Sequence, residues 1–462
     1  MNINKPLLLG LGTMLFCNGS AARSETQKKV PNILVFIADD CTYRDLGCYG
    51  SLDSKTPNID GFAREGMKFT RCFQATAMSS PTRSNLYTGL YPVKSGAYPN
   101  HTFVRTGTKS IFHFLSPRGY KTALLGKGHV NPVESFPFEY LGDKTDELDF
   151  GRMESFLSEA SRNSNPFTLF VCSHQPHIPY TQGDPSKFEA DKVTLPPYFA
   201  DTKETREEFI KYLAEINYMD SEFGRCLELL DSFNLAENTL VIFTSEQGSS
   251  FPFAKWTCYG NGLQTAFLVR WPGHIKPDSQ NNAMIEYVDL TPTLINIAGL
   301  KPPKYLEGKS FLPALKGKKN THKKYVYGIH TTRGINEGSE YYGIRTVRSE
   351  SFRYILNLTP EATFQNNMVT VKNKVFNSWV KKAATDTFAG SLVYKYQHRP
   401  AEELYDVIND PLEMQNLADD PRYAKIKQEL KDKLAAWMTQ QGDKGQQTEM
   451  EALEHMTRNR TE

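Results

Sequence analysis

The sequence predicts an α/β fold: a large, mixed but mostly parallel sheet sandwiched by helices, with a smaller α+β subdomain at its C-terminal end. Three observations lead there. Asn32–Ala38, Phe167–Val171 and Thr239–Phe243 are uninterrupted apolar runs without alternation, which suits strands buried on both faces of a parallel sheet. Between the last two, apolar residues at Leu213, Ile216, Phe223, Leu227 and Leu230 recur among Asp, Glu and Lys, the pattern of a helix packed on that sheet. After Leu300 the character changes to linker-like Lys301-Pro302-Pro303-Lys304 and Gly317-Lys318-Lys319-Asn320, followed by shorter strand-like segments. With 462 residues the chain exceeds one typical core, so a large and a small unit are expected.

The N-terminus has the form of an export signal. Lys5 precedes an apolar run from Leu7 to Phe16, and small residues Gly19-Ser20-Ala21-Ala22 follow, so residues 1–22 are expected to be removed and the mature chain to be periplasmic. The run is too short to span a bilayer, and no later one is long enough. Cys17 as a lipoprotein cysteine is disfavoured by the bulky Phe16 before it. The expected units are then a catalytic α/β domain over 23–319, the α+β subdomain over 320–442, and a polar, mobile tail over 443–462.

The first strand ends in Asp39-Asp40, where open α/β sheets place their sites. Adjacent carboxylates there repel, and a hard divalent cation bound through oxygen relieves the repulsion; an acidic turn is the plainer alternative. Met78-Ser79-Ser80-Pro81-Thr82-Arg83 then starts a helix, with Ser80 as N-cap, Pro81 at the first helical position and Gly89 closing it. Ser79 is expected just outside that helix N-terminus, a position that favours an anion, with Arg83 adding a permanent charge.

A second strand in Gly119–Leu125 enters a loop with Lys127 and His129 on one side. The run ending at Val171 leads into Ser173-His174-Gln175-Pro176-His177-Ile178-Pro179, which the prolines are expected to hold extended, positioning its side chains without a helix. In the amphipathic helix Asp220 is either solvated or a cap. The run ending at Phe243 reaches a second acidic strand end, Glu246-Gln247-Gly248, and Lys255 and Trp256 follow. Val288–Leu294 opens another helix. Tyr325–Ile329, Tyr342–Val347 and Phe352–Leu356 are expected as strands of the smaller unit, whose last helix runs from about Pro421 to Trp437.

Charge and cysteines exclude some classes. The 54 Lys and Arg against 52 Asp and Glu leave +2, without the clustered basic residues that nucleic-acid binding needs. An aromatic content of 12% suits stacking on sugar faces, though it equally suits a core. Seven cysteines show no metal-site spacing. Disulfides are permitted in an exported chain, but scattered buried thiols are the simpler reading.

Ser79-x-Pro81-x-Arg83 with Leu86-Tyr87-Thr88-Gly89 resembles the signature of the sulfatase family, in its serine form, and the likeness runs from Asn32 to about Trp437. Within the family it is strongest to the heparan N-sulfatase branch, in Phe251-Pro252-Phe253-Ala254-Lys255, Arg345-Thr346-Val347-Arg348 and Glu403–Ala418. The resemblance implies an alkaline phosphatase/sulfatase-like fold and oxidation of Ser79 to formylglycine by a serine-type maturating enzyme. It implies Ca2+ held by Asp39, Asp40, Glu246 and Gln247 with residue 79. Arg83, Lys127 and Lys255 would contact the sulfate, His177 would protonate the leaving group, and His129 would serve the aldehyde hydrate. The implied substrate is a sulfated saccharide, N-sulfoglucosamine first and a 6-O or other O-sulfated amino sugar second. Asn100, His101, His330 and Arg333 lie in segments suited to the pocket rim. The sequence departs from the family pattern at Ser79 for the usual cysteine, Glu246-Gln247 for Asp-Asn, and Lys255 for arginine. Two other classes compete: a phosphatase or phosphodiesterase of the same superfold, disfavoured by the lack of a His-rich metal motif, and a catalytically dead glycan-binding protein.

Overall fold

The computed structural model describes residues 1–2, 30–142, 147–163 and 165–455. The expected leader, apart from its first two residues, and Cys17 lie outside the described residues.

Thirteen strands form two sheets among these residues. The large one is built from β1 (Asn32–Asp39), β2 (Met67–Phe73), β3 (Lys121–Gly126), β4 (Glu139–Tyr140), β5 (Phe167–Cys172), β6 (Thr239–Glu246), β7 (Gln264–Arg270), β8 (Ser279–Asn281) and β9 (Ile285–Glu286). Its order is β4-β3-β5-β1-β6-β7-β2-β8, with β9 also on β2. The pairs from β4 to β6 are parallel, and β7 runs antiparallel to both β6 and β2. All eight residues of β1 and all eight of β6 are buried, which is why their sequences are apolar without alternation. The smaller sheet is antiparallel, β10 (Val326–Thr331), β11 (Gly343–Arg348), β12 (Phe352–Asn357) and β13 (Glu402–Asp406). The predicted α/β class with a C-terminal α+β unit is thus the observed one. Strand β2 and the helices Lys374–Lys382 and Thr387–Gln397 had no clear signal in the sequence. The six described cysteines are unpaired thiols. No helix among the described residues is long and apolar enough to cross a membrane.

Helix Lys203–Ser232 carries the amphipathic pattern across the sheet. Its Asp220 is a cap for another helix, α1 (Pro57–Glu65): Oδ1 accepts from the Ile59 amide at 2.8 Å and Oδ2 from the Asn58 amide at 3.2 Å. Two further carboxyls tie this helix to the sheet and its loops. Ser173 Oγ donates to Glu222 at 2.6 Å, and Tyr212, on the helix, donates to Asp45 at 3.0 Å. Burial pushes both carboxyls up to about 7, against partial relief from those hydrogen bonds. A carboxyl raised on folding stabilises fully below its ordinary value and loses that contribution as pH rises through its folded value. The melting temperature is therefore expected to fall between about pH 4.5 and 7, and Asp45→Asn with Glu222→Gln to flatten the fall. Thermal unfolding across that range checks it; an unchanged slope in the double variant would remove these groups from the account.

Three local expectations need correction. Helix α2 (Ser79–Thr88) begins two residues earlier than predicted, so Ser79, not Pro81, is its first residue and Met78 its N-cap. Ser80 does not cap it, and Ser80 Oγ instead accepts the His101 amide at 3.0 Å. The Ser173–Pro179 segment is not extended. It turns back on itself, with the His177 amide donating to the His174 carbonyl at 3.0 Å and cis bonds before Pro176 and Pro179. Finally, the start of the supposed mobile tail is packed. Gln446–Met450 is helical, and Asp443 and Glu449 are buried on Arg345 of β11, so polar side chains there have partners inside the protein.

Candidate active site

The parallel pairing of β1 with β6 sets Asp39 directly opposite Glu246. Just beyond, Asp40 (φ 61°) and Gln247 (φ 39°) both adopt left-handed backbone, which ends the two strands at the same level. Non-glycine residues seldom accept that conformation, and its recurrence at two adjacent strand ends marks a site rather than a generic turn. All four side chains are buried.

The start of α2 meets these strand ends. Ser79 Oγ lies 2.8 Å from Gln247 Nε2, 3.3 Å from Asp39 Oδ1 and 3.4 Å from Lys127 Nζ. Gln247 Nε2 also donates to Asp40 Oδ1 at 2.6 Å. Each carboxylate faces a cation: Lys127 pairs with Asp39, Lys255 Nζ lies 2.6 Å from Asp40 Oδ2, and Arg83 Nε lies 2.9 Å from Glu246 Oε2. Ser250 Oγ adds a further donor to Asp40 at 2.7 Å. One turn after Ser79 on the same helix face, Arg83 also donates to the Lys127 carbonyl at 2.8 Å and so fixes the β3 loop.

Electrostatics separate these groups. Burial alone would raise the Asp39 carboxyl, but Lys127, His177, a hydrogen bond with Glu246 and Arg83 together hold it well below the usual carboxylate range. Glu246 goes the other way: burial pushes it up to about 8, Arg83 offsets only part, and Asp39 beside it adds to the rise. Burial, Lys127 and His101 bring His129 down to about 2, so its imidazole is neutral and pairs with His101 Nδ1 at 2.8 Å. His177 is lowered by burial despite the pull of Asp40, whose Oδ2 is 3.6 Å from Nε2. Its Nδ1 engages the Ile178 carbonyl, leaving Nε2 toward the site.

A divalent cation fits this donor set chemically. Neither Glu246 carboxyl oxygen nor Gln247 Oε1 accepts a hydrogen bond: Glu246 meets Asp39 only through its own proton, which a cation would displace, and the Arg83 contact is an ion pair not aligned as a hydrogen bond. With Asp39 and Asp40 they make an all-oxygen set suited to a hard ion. Among the described residues no three His, Cys, Asp or Glu side chains stand as a ready-made metal cluster, and each of these carboxylates is engaged by its own cation.

Above this floor opens a cavity of about 780 Å³. Ser79, Lys127, Lys255, His129 and His177 line its base. Val130, Val133, Phe136, Phe138 and Tyr140 form an apolar wall, and Asn100, His101, Trp256, Asn367 and Met368 complete it. Asn100 and His101 are therefore where a rim was expected. His330 and Arg333 are not among the lining residues. His330 is fully buried in β10, its ring against Phe364 and close enough to Arg399 and Arg345 to be held neutral, while Arg333 lies over the Tyr341 ring at 4.5 Å. Arg83, too, is fully buried and lies beneath the cavity lining. Ser250, Asn367 and Met368 had no motif to reveal them. The aromatic run Phe136-Pro137-Phe138-Glu139-Tyr140 was the one available signal for the wall.

A hydroxyl at a helix start, backed by fixed cations at the carboxyl edge of an α/β sheet, defines a hydrolase for anionic ester-like groups. The chain belongs to the sulfatase family and is a sulfatase: the model described as Sulfatase matches residues 31–300. A second model, described as N-sulphoglucosamine sulphohydrolase, C-terminal, matches residues 248–368. An ulvan-active sulfatase from Formosa agariphila is 35% identical over 432 residues, covering 91% of this chain and 82% of that protein. The human N-sulphoglucosamine sulphohydrolase is 28% identical over 464 residues, covering 89% and 90%. In fold, the chain is similar to a protein solved in complex with its substrate D-glucosamine-2-N,6-O-disulfate, with a TM-score of 0.69 at 20% identity over 90% of this chain and 99% of that one.

Proposed function

We propose that this sulfatase is exported, acts on a sulfated saccharide at Ser79, and takes N-sulfoglucosamine of heparin or heparan sulfate as its substrate. The observation that carries the site is the convergence of Ser79, Lys127, Lys255 and His177 at the base of one cavity, over the carboxylates of two adjacent strand ends. The choice of an amino sugar is supported by the segment that matches the N-sulphoglucosamine sulphohydrolase model, because it contributes Lys255, Trp256, Asn367 and Met368 to the cavity.

In this scheme Lys127 and Lys255 receive the sulfuryl oxygens, and Arg83 holds the loop that carries Lys127. Asp39, Asp40, Glu246 and Gln247 would hold Ca2+, which supplies a fixed divalent charge against the charge that develops on the sulfuryl group. Oxidation of Ser79 to formylglycine by a maturating partner, with loss of two hydrogens, would supply an aldehyde hydrate whose second hydroxyl allows sulfate to leave. His177 presents Nε2 toward the leaving group. Once the lysines bind the anion, their depressing effect on His177 is offset, so it is better able to carry the proton that an amine leaving group needs. His129, held neutral and lining the same cavity as the residue at position 79, would be a proton acceptor there. The apolar wall suits the face of a sugar ring.

A second reading is hydrolysis of an O-sulfate from another polysaccharide, favoured by the 35% identity to the ulvan-active sulfatase. Sulfate release from N-sulfoglucosamine, 6-O-sulfoglucosamine and ulvan oligosaccharides, with matured protein, separates the two. N-sulfoglucosamine is expected to give the highest kcat/KM, by roughly 100-fold. Preference for ulvan, or for the 6-O-sulfate alone, would overturn the amino-sugar N-sulfate assignment.

A further inference from the structure

The packed C-terminal segment reaches the same cavity from behind. Arg345 of β11, fully buried, is held by Asp443 (Nη2 to Oδ1, 3.1 Å) and by Glu449 (Nη2 to Oε1, 2.7 Å). From that anchor the chain crosses to the loop before the β3 sheet edge. Tyr98 Oη donates to the Thr448 carbonyl at 2.6 Å, and His455 Nε2 donates to the Phe103 carbonyl at 2.8 Å. Ala452 is completely buried with Val93, Tyr98 and Ile329. The approach is close at two glycines: a Cβ on Gly96 would lie 2.8 Å from His455 Nε2, and one on Gly343 would lie 2.7 Å from the Glu449 side chain, so either side chain would have to shift.

The loop so gripped, between Tyr98 and Phe103, is the one that carries Asn100 and His101 into the cavity. His101 in turn contacts His129 and gives its amide to Ser80, next to Ser79. None of Tyr98, Thr448, Glu449 and His455 lines the cavity, so their action on substrate can only pass through the loop.

We propose that residues Asp443–His455 are a positioning strap: by pinning the Tyr98–Phe103 loop from outside, they set the Asn100 and His101 side of the substrate pocket. Tyr98 and His455 are positioning residues that hold a wall of the pocket. The proposal rests on the reading of this cavity as the saccharide site. It predicts an effect on substrate binding rather than on the chemical step, because the strap touches neither Ser79 nor the buried carboxylates.

The test is a Tyr98→Phe/His455→Ala variant of the full chain, which removes both cross-loop hydrogen bonds and leaves the Arg345 anchor intact. With two such bonds lost, KM is expected to rise about tenfold with kcat within about twofold of wild type. Amide hydrogen exchange over residues 98–105 is expected to speed up while that of α2 stays slow. Tyr98 with His455→Gln, which keeps an N–H donor at position 455, should recover most of the affinity. Unchanged exchange in the loop would overturn the strap; faster exchange with unchanged KM would overturn its link to substrate. If wild-type protein releases no sulfate from any saccharide, the functional assignment fails, and the exchange rates alone still decide whether the segment holds the loop.

Discussion

Ser79→Ala is expected to abolish sulfate release, with kcat down by roughly 10⁴-fold or more, while the melting temperature stays within a few degrees of wild type. The substitution removes the reacting atom and little else. Position 79 opens a helix whose backbone alanine accepts readily, and the lost Oγ takes part in hydrogen bonds from Gln247 and Lys127 and to Asp39, each of which keeps another partner. A stability change of about 1 kcal/mol is the scale for such a loss. The comparison must use protein whose Ser79 peptide is lighter by two hydrogens in the mass spectrum, since unmodified wild type is expected to be inactive as well. Sulfate release persisting in Ser79→Ala would remove this residue, and the formylglycine chemistry with it, from the mechanism.

Much of this site was legible because its parts sit at strand ends. An apolar run that stops at Asp39-Asp40, and another that stops at Glu246-Gln247, locate two edges of one sheet, since burial on both faces leaves no freedom in where such strands end. That the two edges are neighbours follows from the β1–β6 pairing, a contact across about 200 residues that no local periodicity encodes. Arg83 was recognisable as a fixed cation, but its depth was not. Once α2 begins at Ser79, a residue four further on shares its face and reaches down to Glu246 rather than out to the substrate. His330 shows the converse limit, because Gly328–Thr331 of β10 are buried on both faces, so a polar residue there is enclosed whichever face it takes. The described part of the tail, up to His455, was misjudged on composition: Asp443 and Glu449 look like solvated charges until Arg345, about 100 residues earlier, is placed between them.

Calcium and sulfate are expected to bind the protein cooperatively, with each tightening the other by roughly 5- to 150-fold, the usual range for linked sites. The reason lies in how the carboxylates are engaged. Lys127 and Lys255 are the cations nearest the cavity, yet their ammonium groups are committed to Asp39 and Asp40. Above about pH 8, where Glu246 ionises, Asp39, Asp40 and Glu246 balance Arg83, Lys127 and Lys255, so there the cluster has no excess charge to draw in an ion of either sign. With a divalent partner for Asp39 and Asp40, and for the orphaned oxygens of Glu246 and Gln247, the two lysines are released to face an anion, and the added positive charge is neutralised by that anion. Thermal unfolding with calcium alone, sulfate alone and both together reads this without any turnover. Calcium should raise the melting temperature, sulfate alone should have a small effect, and the two together should exceed their sum. Glu246→Ala should remove the calcium shift while leaving Lys127 and Lys255 on their aspartates, and with it the synergy. Strictly additive shifts would mean that the lysines face the anion whether or not the carboxylates are bridged, and a calcium response intact in Glu246→Ala would place the ion elsewhere.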